Sequence, residues 1–251
     1  MKRNVFLFLI LSLNYSISYS QKGFYASIHG GMDFDQWELQ SASNTIKESA
    51  IISSSFGLEI GRQFNNYFSV ETGIIRKYYY EGYAVEINDD FGNFGTSSNS
   101  ITTIQIPLRI KARIFAKKEK FAFYGQLGYH LCFNTEFGTG GSGFSTVSSA
   151  TDSITIWEVS NNNYAKVFGL LEAGIGMELF TNNKVGVSFG VNYFSGFKTT
   201  GTIDLTYQVN NGVIKTNQLL SSGDYFAWHV GIMVPFSAFK EKEELEIETE
   251  F

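Results

Sequence analysis

The chain has 251 residues, 19 of them Lys or Arg and 24 Asp or Glu, which gives a formal net charge of −5 at pH 7. The chain is mildly acidic, and nothing in it resembles the basic stripe that nucleic-acid binding requires, so no nucleic-acid partner is expected. Cys132 is the only cysteine, so an intramolecular disulfide and a cysteine-based zinc site are both excluded.

The first twenty residues have the pattern of a secretory signal. A basic start, Lys2-Arg3, precedes a short apolar run, Val5–Leu13, and then the small residues Ser18 and Ser20. The apolar run is too short to span a bilayer, which takes about 20 residues. The pattern predicts a signal peptide over residues 1–20 that is cleaved on export. A buried N-terminal strand is the alternative.

A period of two is the strongest signal in the rest of the chain. Between residues 104 and 114 every second residue is apolar, and Gln, Pro, Arg and Lys stand between them. Such alternation predicts a strand with one apolar and one polar face. The pattern recurs and predicts eight strands, at 23–34, 51–64, 67–82, 104–114, 121–134, 165–180, 184–197 and 224–236.

The connections between these strands alternate strictly between short and long. The short ones are Asn65-Asn66, Ala116–Lys120 and Thr181–Asn183, and the long ones are 35–50, 83–100, 135–163 and 198–223. Outer-membrane barrels have short periplasmic turns and long outer loops. We therefore predict an all-β fold: one domain, residues 21–236, forming an eight-stranded antiparallel up-and-down transmembrane β-barrel in the cell outer membrane.

Two of the long connections carry strand patterns of their own. These are Ser153–Val159, and Ile203–Val209 with Val213–Leu219 around Asn210-Asn211-Gly212. The second pair is typical of a β-hairpin. We interpret it as the seventh and eighth strands extending above the membrane. A ten-stranded barrel is the alternative, although these segments are short for spanning.

Aromatic residues gather near the predicted strand ends, as at Tyr67-Phe68, Tyr78–Tyr80, Tyr193-Phe194 and Tyr225–Trp228. Tyr and Trp have one apolar and one polar end, so they suit the headgroup level of a membrane. Arg76 interrupts an apolar row and is expected at the same level. Ordinary core aromatics are the alternative.

An even number of strands places both termini in the periplasm. Residues 237–251 include the charged run Lys240–Glu244 and predict a solvated periplasmic C-terminal tail. A specific docking role for this tail is the alternative.

The parity of the strands also predicts which side chains face the barrel interior. The expected interior polar network is structural and comprises Glu59, Glu71, Lys77, Arg109, Lys111, Arg113, Glu172, Glu178, His29, His130 and His229. Eight strands leave an interior just wide enough for side chains to fill, and buried charges must be paired. We therefore expect a plug rather than a transport path, with an ion pair between Glu71 and Arg113.

The three histidines are the candidates for chemistry in this interior. His29 and His229 lie on the first and last strands, which are neighbours in a closed barrel, and a His pair can bind metal or act as acid and base. No Ser-His-acid spacing stands out, so interior histidines with satisfied hydrogen bonds are expected, without a catalytic residue, metal or cofactor. Cys132 is inward by the same parity and is expected to fill space.

The chain resembles the small outer-membrane β-barrels of the porin-family or PorT-like type found in Bacteroidetes. The resemblance covers the mature chain and is carried by Ser20-Gln21, Gly23-Phe24-Tyr25, the strand Ile104–Leu108 with its Ile-Pro-Leu sequence, and the last strand ending Gly231–Phe236. It implies a link to protein secretion, through the founding PorT protein. The chain departs from the usual outer-membrane ending, because fifteen residues follow Phe236.

These observations predict a non-enzymatic structural or interaction protein, accessory to protein secretion or envelope assembly. Its expected partners are outer-membrane lipid and secretion or envelope-assembly proteins, and the barrel itself is expected to be monomeric. The alternatives are a lipid-A-modifying enzyme, a narrow porin-like channel and a soluble periplasmic binding barrel.

Overall fold

The computed structural model of the protein describes residues 23–86, 93–116, 120–135, 142–148, 152–161, 165–181 and 185–237. The predicted signal peptide and residues 238–251 of the predicted tail lie outside these ranges. Within them, no helix is long and apolar enough to cross a bilayer.

Eight long strands close into an antiparallel barrel, which confirms the predicted fold. They are β1 (Gly23–Asp35), β4 (Ile51–Gln63), β5 (Phe68–Glu86), β6 (Asn93–Ala116), β7 (Phe121–Asn134), β10 (Val167–Phe180), β11 (Gly186–Gly196) and β14 (Tyr225–Pro235). Each pairs with the next in chain order, and β14 pairs with β1 to close the sheet. In that closing pair Ile28 lies opposite Ile232, and Met32 lies opposite Trp228.

The outer wall of the barrel is apolar. Alternate side chains on every strand point away from the lumen, and Ile114, Leu127 and Ile175 are 73%, 68% and 72% exposed. An apolar band of this extent around a whole barrel matches the hydrocarbon layer of a membrane rather than water. Arg76 is exposed on the same wall, with its guanidinium 4.8 Å from the centre of the Tyr78 ring. Arg62 lies similarly over Phe24 and Phe64 near the opposite end.

The remaining strands form a second layer at the end of the barrel where the long connections lie. Five of them make what we call the outer sheet: β2 (Glu38–Leu39), β8 (Ser142–Ser148), β9 (Ser153–Asn161), β12 (Gly201–Val209) and β13 (Ile214–Ser221). Their order in the sheet is β2-β13-β12-β9-β8. The short strand β3 (Ile46–Lys47) instead pairs with the upper part of β5.

The predicted hairpin forms, but the interpretation of its position was wrong. The β12–β13 hairpin does not extend the wall made by the seventh and eighth barrel strands, since it pairs with β9 and β2 in a separate sheet. The ten-stranded alternative fails for the same reason. The physical cause is that Ile203, Leu205 and Leu219 are buried against protein rather than facing lipid. The turn itself has Asn210 and Asn211 at positive φ, a conformation that Asn tolerates better than most residues.

Strands β5 and β6 also differ from the prediction, because both continue past the barrel wall. Their extensions pair with each other as far as Glu86 and Asn93 and carry Tyr83 and Val85 under the outer sheet. The two layers enclose one hydrophobic cluster, which we call the head core: Trp37, Ile46, Tyr83, Val85, Ile154, Ile156, Ile203, Leu205, Tyr207 and Leu219. The long connections therefore form a β-sandwich with its own core.

Candidate functional site

The barrel lumen is lined by the side chains that alternate with the lipid-facing ones. Among the residues that the structure describes, ten buried charged side chains lie in it: Asp33, Asp35, Glu59, Glu71, Lys77, Arg109, Lys111, Arg113, Glu172 and Glu178. Eight of them belong to the interior set expected from strand parity. Asp33 and Asp35 are not in the predicted set. Strand parity places them inside as well, because they alternate along β1 with the outward-facing Met32 and Phe34. The charged side chains are arranged in three layers along the barrel.

The layer nearest the short turns is built around Arg113. Its Nε donates a 2.5 Å hydrogen bond to Glu178 Oε2, and its Nη1 donates to Ser69 Oγ at 2.7 Å. Arg113 Nη2 lies 3.9 Å from Glu71 Oε1, the pair expected from the sequence. Glu71 has a nearer partner in Lys111, whose Nζ is 2.7 Å away. Arg113 and Glu71 therefore each have more than one partner in this layer.

Arg109 is the centre of the middle layer. Its Nη1 donates to Glu59 Oε1 and its Nε donates to Glu172 Oε2, each at 2.7 Å. Glu172 also accepts hydrogen bonds from Gln126 Nε2 at 2.6 Å and from Asn192 Nδ2 at 2.7 Å. One guanidinium thus holds together carboxylates from β4 and β10, on opposite sides of the lumen. Such charge-assisted bonds are about twice as strong as bonds between neutral groups.

The outermost charged layer contains Lys77, which has no exposed surface. Its Nζ lies 2.9 Å from Asp33 Oδ2 and 2.7 Å from Asp35 Oδ1. The same ammonium lies 4.4 and 4.0 Å from the ring centres of Tyr79 and Tyr225. The two aromatic rings complete the enclosure of the lysine through cation–π contacts.

An apolar layer closes the lumen above Lys77. The cluster, which we call the mouth cluster, consists of Tyr79, Ile101, Cys132, Phe168, Leu170, Phe194, Tyr225 and Ala227. Phe194 and Tyr225 stack with their ring centres 4.1 Å apart. Cys132 is fully buried here, which is consistent with a space-filling thiol. The mouth cluster therefore closes the lumen on the outer side of the charged layers.

The histidines belong to the same network. His130 Nε2 is hydrogen-bonded to Glu172 Oε2 at 2.7 Å, and His29 Nδ1 lies 3.6 Å from Glu59 Oε2. Of the ten buried charged residues, six are carboxylates and four are cations. The two histidines therefore lie against the carboxylates of a network that has more acids than permanent cations.

His29 and His229 face each other across the β1–β14 seam, with ring centres 6.3 Å apart. Each ring occupies space left by a glycine on a neighbouring strand, Gly57 for His29 and Gly190 for His229. His229 Nε2 is hydrogen-bonded to Tyr124 Oη at 3.0 Å. Both rings line a cavity of about 50 Å³, which is room for a few water molecules. In the part of the chain that the structure describes, no three His, Cys, Asp or Glu side chains are grouped to hold a metal ion.

Comparison with known proteins gives likeness in structure alone. No family model matches the chain, and no curated protein sequence matches it. Among solved structures, the outer membrane protein OprG from Pseudomonas aeruginosa is 14% identical with a TM-score of 0.49, and the match covers 88% of this chain and 99% of OprG. Neisserial surface protein A is 12% identical with a TM-score of 0.47, covering 85% of this chain and 97% of that one.

A third match is the outer membrane protease OmpT from Escherichia coli, 11% identical with a TM-score of 0.38, covering 88% of this chain and all of OmpT. A surface protein and a protease thus occur among the matches. At these identities the matches say nothing about the role of this chain. That the protein is an outer-membrane β-barrel follows from the closed strand pairing and the apolar outer wall described above.

Proposed function

We propose that this protein is a non-enzymatic, monomeric outer-membrane barrel that anchors a structured head, and that the head makes contacts needed for protein secretion or envelope assembly. The resemblance to PorT-like barrels of Bacteroidetes supports the choice of secretion and assembly among possible roles. In this proposal residues 1–20 are removed on export, and residues 237–251 remain as a periplasmic tail.

The observation that carries the proposal is the head core. Loops that only connect barrel strands have no need of a shared core, because they can remain solvated. Here five strands drawn from three connections bury Ile156, Ile203 and Leu205 against the extensions of β5 and β6. Ordering this backbone costs conformational entropy, about 1–2 kcal/mol per residue. Burial of the apolar side chains of the head core offsets this cost. The result is a fixed outer surface, which is what binding to a partner needs.

The filled lumen supports the same proposal over a channel. Lys77, Arg109 and Arg113 each hold carboxylates in a different layer, and the mouth cluster lies above them. Moving a solute through these layers would require unpaired buried charges, which are costly. The inward direction of His29 and His229 also favours this proposal over a lipid-A-modifying enzyme, whose catalytic groups would need to reach acyl chains at the lipid-facing rim.

The proposal predicts partners that depend on the head. We expect the tagged native protein, extracted from outer membranes in mild detergent, to co-purify with stoichiometric partners that mass spectrometry identifies. Leu205→Asp, which disrupts the head core, should abolish this co-purification. Arg76→Leu, which changes the barrel wall, should leave it intact. A clean monomer from native membranes, or partners that both variants retain, would contradict a role for the head.

A separate measurement tests the filled lumen. We expect the purified protein in a planar lipid bilayer to show no single-channel conductance steps, because every charged layer is paired across the lumen. A general porin reconstituted in the same way provides the positive control. Reproducible conductance steps from the folded barrel would favour the narrow-channel alternative instead.

A further inference from the structure

The tip of the β12–β13 hairpin, residues 210–214, is fixed to the start of the neighbouring strand β9. The backbone N–H of Asn210 donates to the carbonyl oxygen of Ser153 at 2.8 Å, and the N–H of Ser153 donates to Asn210 Oδ1 at 2.7 Å. Asn210 Nδ2 also donates to Asp152 Oδ1 at 2.5 Å. One asparagine thus makes three hydrogen bonds that hold the hairpin tip in a single position on the head.

The same tip exposes apolar side chains. Val213 is 81% exposed and Ile214 is 59% exposed. Lys215 and Thr216, the next two residues of the chain, are exposed as well. These residues belong to the head and not to the barrel wall, where lipid covers the apolar side chains. Adjacent exposed apolar side chains at a fixed position make this strand a candidate contact surface.

Strand β13 also has a free edge beside these side chains. On one side β13 pairs with β12 along its whole length. On the other side β2 pairs only with Leu219 and Leu220. Among the residues that the structure describes, no strand pairs with Ile214–Thr216 on that side. The edge is therefore open at the end of β13 that carries the exposed apolar side chains.

The backbone groups that face this edge follow from the register. The carbonyl oxygen of Gln218 accepts a hydrogen bond from the N–H of Gln40 at 2.8 Å, so the backbone groups of Gln218 point toward β2. Residues along an antiparallel strand alternate in the side to which their backbone groups bond. Ile214 and Thr216 share the parity of Gln218, so their N–H and C=O groups point to the open edge. Lys215, between them, points to its partner on β12.

We propose that β13 receives an extended segment of a partner protein as an added strand along Ile214–Thr216. An added strand pairs with the main-chain groups of a free edge, and its side chains provide specificity. Val213 and Ile214 favour apolar side chains in that segment. No carboxylate of the described residues forms an ion pair with Lys215, which favours an Asp or Glu opposite it. This proposal rests on the proposed function, because it names the surface and the chemistry of a contact that the head makes.

A lysine on a short edge is also a way in which proteins prevent strand pairing. Edges that are protected in this way carry charged or polar side chains. Val213 and Ile214 are instead apolar and more than half exposed. This part of β13 therefore has the side chains of a contact and not those of a protected edge.

Panning a phage-displayed library of random short peptides on the full-length protein in detergent tests the proposal. We expect the selected peptides to combine apolar residues with an Asp or Glu. Amide hydrogen exchange, followed residue by residue, should show that the N–H groups of Ile214 and Thr216 become protected when such a peptide binds. The N–H of Lys215 is the internal control, because its pairing with β12 protects it before the peptide is added.

Two substitutions on the edge test the same contact. Ile214→Pro should weaken peptide binding at least tenfold, roughly the effect of one lost hydrogen bond, because proline removes an edge N–H and its ring obstructs an added strand. Lys215→Glu should weaken binding up to about fivefold, and peptides with Lys in place of the acidic residue should recover it. Lys198→Glu is the matched control, since Lys198 is an exposed lysine outside the outer sheet, and it should leave binding unchanged.

Resistance of the head to protease checks that the variants fold. The exchange measurement uses the wild-type protein, so it decides the question if Ile214→Pro does not fold. Failure to select any peptide, selected peptides that leave the exchange of Ile214 and Thr216 unchanged, or undiminished binding to folded Ile214→Pro would overturn the proposal. Native partners that co-purify equally with Ile214→Pro would also overturn it, and they would leave the proposed function standing.

Discussion

Replacing Arg109 by leucine is expected to destabilise the barrel by about 3–5 kcal/mol, the cost of removing one partner from a buried ion pair. Arg109 donates to Glu59 and Glu172 at 2.7 Å, and all three side chains are buried. Without the guanidinium, two carboxylates on β4 and β10 remain in the lumen with fewer donors. The measurement is the urea midpoint of unfolding in detergent micelles. The folded fraction at each urea concentration is read from the difference in gel migration between folded and heat-denatured protein.

The matched control is Arg76→Leu, which removes the same side chain from the outer wall. Arg76 is exposed and contacts the Tyr78 ring, so its loss should change the free energy of unfolding by less than about 1 kcal/mol. Arg109→Lys provides a second comparison, because it keeps the charge but cannot reach two carboxylates as a planar fork. Equal stability of Arg109→Leu and the wild type would show that the network of the middle layer does not hold the barrel together.

Replacing Leu205 by aspartate should unfold the head and leave the barrel closed. Leu205 is 1% exposed at the centre of the head core. The change removes a buried leucine, at about 2–5 kcal/mol, and introduces a polar group without a partner, at about 1–3 kcal/mol more. We expect proteases to cut within residues 142–221 of the variant, while the barrel retains its heat-modifiable migration.

Thr206→Asp is the control for this experiment, since it introduces the same carboxylate one residue later, on the side of the outer sheet that points away from the head core. Thr206 is half-buried and lies outside the head core, so the variant should resist protease as the wild type does. Loss of the folded barrel in Leu205→Asp would mean that the head is required for the barrel to fold. Protease resistance in both variants would mean that the head core tolerates a buried charge.

The barrel could be predicted from the amino-acid sequence alone. All eight barrel strands were predicted within a few residues of their observed bounds, apart from the upper ends of β5 and β6. The reason is that alternation is local: a strand between lipid and a polar lumen must change face at each residue, whichever strand lies beside it. The same parity placed Arg109, Lys77 and His130 inside the barrel before any pairing was known.

The partners of those residues could not be predicted, because they depend on how distant strands come together in the folded barrel. Glu71 lies nearest to Lys111, and Lys77 lies between Asp33 and Asp35, because register and barrel closure fix the heights at which distant strands meet. The head core could not be predicted from the sequence, for a related reason. An apolar row such as Ile203 and Leu205 has the same pattern whether it faces lipid or a second sheet, and only the folded chain shows which of the two it meets.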